Sequence, residues 1–106
     1  MGLPKKIKAG CITYTLSRDS STQDYLDAKN RWGETDHEKQ TVVFSTKTTE
    51  ERLAETFLHE VLHIALFNSV AIETSELEER VVGELSPHLY AIFKANPQIL
   101  HYFLGS

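Results

Sequence analysis

His59-Glu60-Val61-Leu62-His63 sets two imidazoles four positions apart with a carboxylate between them. On a helix turning about 100° per residue, positions i and i+4 lie roughly 40° apart and one turn up, so both rings can reach one tetrahedral ion. Glu60 falls about 60° from His63 on the same side, close enough to meet a water held by that ion while staying outside its coordination shell. The chemistry implied is metal-assisted hydrolysis, with the ion as Lewis acid and Glu60 as the general base that takes a proton from the water. Zn2+ is the expected ion, since it accepts imidazole and carboxylate donors and can keep a fourth position for water.

The third protein ligand must come from elsewhere. Leu66 and Ser69 stand where a longer version of the motif would place a glycine and a third histidine. A second apolar-periodic segment offers Glu78 and Glu79. Periodicity places Glu78 near the centre of the stripe made by Val82, Leu85 and Leu89, and so makes it the more buried of the two. Glu79 lies at the edge of that stripe, beside Val82, Ser86 and Tyr90. Tyr90, His88 and His37 are candidate donors to a developing oxyanion.

These residues need helices and a sheet to position them. Ile7 to Leu16 alternates and is rich in β-branched residues, which predicts a strand. Ser17 to Thr22 is turn material, and Gln23 to Arg31 suits either a short helix or a loop. Trp32 to Thr35 and Thr41 to Ser45 flank the polar run Asp36 to Gln40 and predict a hairpin. Thr48-Thr49-Glu50-Glu51 has the form of a capping box, with Thr48 as the cap of a helix that carries the two histidines. Leu53, Phe57, Val61 and Ile64 recur at helical spacing, and Leu58, Leu62, Leu66 and Phe67 fill the other directions, so this helix must be covered on several sides. A second helix is expected from about Ser75 to Ala95, kinked by Pro87 near Gly83, with a short one over Gln98 to Leu104. The expected fold is α+β, a small antiparallel sheet of about three strands packed on two main helices.

The 106 residues, 41% of them hydrophobic, suit a single domain spanning 1–106. A formal charge of -4 without any basic block gives no sign of nucleic acid or an anionic membrane as a main partner, and neither is expected. Cys11 is the sole cysteine, so no internal disulfide framework exists. No run approaches the roughly 20 apolar residues of a membrane span, and the N-terminal segment has no signal-peptide core. A cytoplasmic setting is expected. Burying two histidines and a glutamate in one helical turn without a metal or strong partners would cost several kcal/mol, which favours a metal site over coincidence.

The order strand, hairpin, Thr48-Thr49-Glu50-Glu51-Arg52, His59-Glu60-Val61-Leu62-His63-Ile64-Ala65-Leu66-Phe67, Glu78-Glu79-Arg80-Val81-Val82, Leu89-Tyr90 and Asn96-Pro97 resembles small phage and prophage zinc-peptidase-like proteins. These are distant relatives of the ImmA/IrrE metallopeptidases, and the resemblance runs from about Trp32 onward. It implies a minimal zincin-like fold, a protein or peptide substrate and, for a phage-encoded chain, the host cytoplasm. It also implies Glu79 as third ligand, because Glu79-x-x-Val82-x-x-Leu85-Ser86 is similar to the second-helix ligand pattern of glutamate-type zincins. Two other functions remain compatible with the residues: a non-catalytic zinc-binding or protein-interaction module, and a metal-free adaptor in which Glu78 or Glu79 satisfies the histidines.

Overall fold

The computed structural model describes residues 2–67 and 69–105. They form strands β1 (Lys6–Ala9), β2 (Ile12–Ser17), β3 (Gly33–Asp36) and β4 (Thr41–Phe44), and helices α1 (Gln23–Ala28), α2 (Glu50–Leu66), α3 (Ser75–Ala95) and α4 (Gln98–Leu104). The class is α+β. The sheet is a single four-stranded mixed one in the order β1-β2-β4-β3, where about three antiparallel strands were expected, and the short helices α1 and α4 accompany the two main ones.

The extra strand comes from Gly10. At φ +65° it opens a two-residue turn that folds the expected Ile7 to Leu16 strand back on itself, pairing Ala9 with Ile12 and Lys6 with Thr15. The turn also resets the alternation. Ile7 and Ala9 pack on the core from β1, whereas Ile12, Tyr14 and Leu16 do so from β2. The mixed character arises further on. β3 and β4 form the expected antiparallel hairpin, closed through Gln40 at φ 56°, but it is β4 that lies beside β2, and the two run parallel. A parallel neighbour requires the chain to cross over, and here Ser20–Thr22, α1 and β3 form that crossover.

Tyr14, Leu16, Val42 and Phe44 from the sheet meet Leu53, Phe57 and Ile64 of α2 in the core. These α2 positions recur at the spacing of one helical face. The start of α2 is fixed by Arg18, just after β2, which donates to the Ser45 carbonyl at 2.9 Å, the Thr48 carbonyl at 2.8 Å and Glu50 Oε1 at 3.3 Å. With Thr48 engaged this way, the cap is Thr49, whose hydroxyl accepts from the Arg52 amide at 3.1 Å, one residue later than expected.

Helix α3 runs antiparallel to α2, as the Lys94 to Glu51 ion pair at 3.0 Å between the end of one and the start of the other requires. It lays the fully buried Val82 and Ser86 against the rest of the molecule. α3 continues through Pro87, and both Pro87 and Gly83 are exposed, so water can serve the carbonyl that Pro87 leaves without a donor. No helix among the described residues is long and apolar enough to cross a membrane.

The sheet comes close to α2 at Gly33. A Cβ there would lie 2.9 Å from Thr56 Cγ2, 3.2 Å from the Val43 carbonyl oxygen and 3.3 Å from Phe44 Cδ1. Gly33→Ala is therefore expected to destabilise the protein by about 1–2 kcal/mol in urea denaturation. Thr56→Ser in the same chain removes the nearest methyl group and should recover part of that loss. An unchanged midpoint for Gly33→Ala would show that β3 is not pressed onto α2 as described.

Candidate functional site

The face of α2 beside its core stripe carries Arg52, Glu55, Thr56, His59 and His63, and lines a cleft of about 670 Å³. β3 contributes Gly33, Glu34 and Thr35 to the cleft, preceded by Trp32, and α3 contributes Glu78, Glu79 and Ser86. His59 and His63 thus face a cleft between two helices and a strand, where the His63 side chain is 12% exposed and that of His59 26%.

Glu60 occupies a different position from the histidines. It lies in the core stripe, seven residues after Leu53 and four before Ile64, and is 5% exposed. A carboxylate there requires a hydrogen bond. The Thr35 hydroxyl donates to Glu60 Oε1 at 2.7 Å, from the strand packed against that side of the helix. Burial pushes the Glu60 carboxyl above the usual carboxylate range, and the Thr35 hydrogen bond and the nearby histidines oppose that rise. Thr35 was not singled out by sequence reasoning. Its only signal is strand alternation, which could not be assigned to a helix face without the tertiary structure.

Both imidazoles present Nε2 to one carboxylate. Glu79 Oε2 lies 3.1 Å from His63 Nε2, and Glu79 Oε1 lies 3.5 Å from His59 Nε2. One nitrogen from each ring and one Glu79 oxygen fall within 4.8 Å of one another, and this group of three could hold a metal ion. Metal–ligand bonds of about 2.0–2.2 Å in a tetrahedron separate the ligands by roughly 3.3–3.6 Å, so small side-chain shifts would bring the group onto one ion. Among the described residues no fourth histidine, cysteine or carboxylate joins the group.

The opposite edges of the two rings are also held. His63 Nδ1 lies 2.8 Å from Glu78 Oε2, and His59 Nδ1 lies 3.2 Å from Ser86 Oγ. Hydrogen bonds at Nδ1 fix ring orientation and leave Nε2 for the ion, the arrangement seen behind metal-bound histidines. Glu78 and Glu79 are therefore both part of the site in different places. The side chain of Glu78 is 19% exposed and lies behind the ring, as its central place in the stripe suggests, whereas that of Glu79 is 57% exposed at the mouth.

The three suggested oxyanion donors separate. His37 lines the cleft. His88 faces a shallow apolar depression elsewhere on α3 with Leu77, Val81 and Leu85, and the Tyr90 hydroxyl meets Lys94. Neither of these reaches the cleft. Cys11 is exposed in the β1–β2 turn, outside the metal-ligating group.

Comparison of the chain with models of protein families, with curated proteins and with solved structures gives no match. What the site can do rests on its own chemistry.

His37 provides a test of this description. Its ring stacks on Phe67 with centroids 3.8 Å apart, and Nδ1 shares a 2.8 Å hydrogen bond with the buried Tyr14 hydroxyl. Burial holds its pKa below the ordinary histidine value, against the opposing charge of Glu78. Below about pH 6.5 the unfolded chain then binds a proton that the folded chain does not, so stability falls as the pH drops from there through the lower folded pKa. Above pH 6.5 His37 has no effect of this kind. Metal-free His37→Gln, which retains an acceptor for Tyr14, should lose less stability than wild type between pH 7.5 and 5.5 in urea denaturation. Equal losses would place His37 in solvent.

Proposed function

We propose that the chain is a zinc-dependent peptidase with a minimal zincin-like fold, acting on a protein or peptide substrate in the cytoplasm. The observation that carries this reading is the convergence of His59 Nε2, His63 Nε2 and one Glu79 carboxylate at the mouth of a cleft. Two imidazoles and a carboxylate, with a fourth position open to the cleft, are the donor set of a hydrolytic zinc site. Three carboxylates, Glu60, Glu78 and Glu79, also crowd the two rings, and a divalent cation would relieve their mutual repulsion. The sequence resemblance to phage and prophage zinc-peptidase-like proteins points the same way.

A zinc ion held by His59, His63 and Glu79 would lower the pKa of a water to about 7 and would act as a Lewis acid toward the scissile carbonyl. The protein's own groups do the rest. Glu60, anchored through Oε1 by Thr35, keeps Oε2 to take the water's proton and deliver it to the leaving amine. Glu78 and Ser86 hold the two imidazoles in one orientation. β3 is an edge strand, paired on one side only by β4, and its residues line the cleft. An extended peptide laid along that edge would find backbone hydrogen-bond partners beside the reacting centre.

The ligand assignment is tested by metal analysis of the untagged protein after dialysis. One equivalent of zinc is expected in wild type, with none in His59→Ala or His63→Ala. Glu79→Ala should lose the ion, whereas Glu78→Ala, which removes only an orienting partner, should weaken affinity about 10–100-fold. Equal effects of the two substitutions would sink the separation of their roles, and a metal-free wild type would sink the site.

Catalysis has its own test. Glu60→Gln should retain the zinc and reduce peptide hydrolysis by about 10²–10⁴-fold, the range typical of a lost general base. Full peptidase activity in that variant would remove Glu60 from the chemistry. Zinc in wild type with no hydrolysis of any peptide would favour the non-catalytic zinc-binding module.

A further inference from the structure

The cleft extends well beyond the metal-ligating group. Along α2 it reaches back to Arg52, and on the opposite wall to Arg31 and Trp32. Arg52 precedes His59 by seven residues, which is two helical turns, so the two side chains lie within about 20° of the same face and about 10 Å apart along the helix axis. The Arg52 guanidinium sits over the Trp32 ring, 5.3 Å from its centroid, and Trp32 is 48% exposed.

The charges at this end are arranged unequally. Arg31 is engaged by Glu34 at 3.2 Å. Arg52 has no carboxylate within salt-bridge distance among the described residues. Its cation therefore faces the cleft, stacked on an aromatic wall that holds the planar guanidinium in place and leaves its N–H edge available. Glu55 lines the cleft one turn closer to the histidines, and Glu78 and Glu79 line the metal end. Arg52 is thus the cation without a carboxylate partner at the far end of a groove that also holds the Arg31–Glu34 pair, with Glu55, Glu78 and Glu79 along the rest of its length.

We infer that Arg52 and Trp32 form a subsite for a substrate carboxylate. For the register this rests on the peptidase reading above. An extended peptide advances about 3.3 Å per residue, so 10 Å corresponds to roughly three residues between the bond at the metal and the side chain at Arg52. The substrate class is a peptide bearing aspartate or glutamate about three residues from the cleaved bond. The position facing Glu55 disfavours acidic side chains, which gives the recognition a register as well as a sign.

The experiment uses the full chain loaded with zinc and a mixed octapeptide library in two arms. In the first, Glu60→Gln protein captures peptides, and the bound fraction is sequenced by mass spectrometry. In the second, wild-type protein cleaves the library and the cut sites are mapped. Acidic residues should be enriched about fivefold at one position in the captured pool, and about three residues from the cut in the cleaved pool. Arg52→Lys should keep part of that enrichment, and Arg52→Glu should reverse it toward lysine and arginine with zinc content unchanged. Arg52 is exposed, so its variants are expected to fold, and circular dichroism checks this. Acidic enrichment in the captured pool without cleavage would uphold the subsite while overturning the peptidase reading. Cleavage with no acidic preference, a preference unmoved by Arg52→Glu, or no selective capture would each overturn the subsite.

Discussion

Glu60 places a largely buried carboxylate in the stripe of α2 that faces the sheet, between Phe57 and Ile64. Leaving such a group without a donor would cost several kcal/mol, a large part of the stability of a small domain. The Thr35 hydroxyl satisfies it, and much of the remaining geometry follows from that contact. β3 must lie in the register that brings Thr35 over Glu60. That register brings Gly33 against Thr56, a position with no room for a side chain. The rest of the hairpin then sits where β4 can pair with β2, and Arg18 locks the passage from β4 into α2.

Helix α3 supplies the other half of the site through a one-residue offset. Neighbouring positions on a helix diverge by about 100°, so Glu78 and Glu79 cannot approach a ring from the same side. Glu78 approaches His63 from behind at Nδ1, and Glu79 meets the Nε2 atoms of both rings from the front. Ser86 does for His59 what Glu78 does for His63 with a neutral hydroxyl. The partner of His63 is a carboxylate and that of His59 a hydroxyl, so the two rings of one motif are oriented by different groups.

The helices were largely legible in the sequence. α3 and α4 span the residues expected, and α2 starts within two residues of its predicted cap, because amphipathic periods and caps are local properties. The sheet was less so. A single glycine with positive φ divides Ile7 to Leu16 into two strands, and alternation on either side of it reads as one continuous pattern. The parallel β2–β4 pair joins segments separated by the whole crossover, and no local periodicity encodes it. At the site, the histidine pair, Glu60 and the two rival glutamates were visible as residue types at fixed spacing. Thr35 was not, and Ser86 was visible only as a small residue of the second-helix pattern, since an ordinary threonine and serine acquire their orienting roles only when α2 meets β3 and α3.

A chain this short can hold such a site because two adjacent faces of α2 serve different ends. Leu53, Phe57 and Ile64 belong to the core, and Arg52, Glu55, Thr56, His59 and His63 belong to the cleft. Glu60 is the one residue that belongs to both, buried in the core stripe yet lining the cleft. Substitutions on the cleft face can thus alter the two histidines or the far wall with little effect on packing, whereas any change at Glu60 perturbs both. The same division explains the cleft's polarity. Its cation and its acidic residues lie on a surface that the core does not constrain, so their order along the helix is free to be set by what enters the groove.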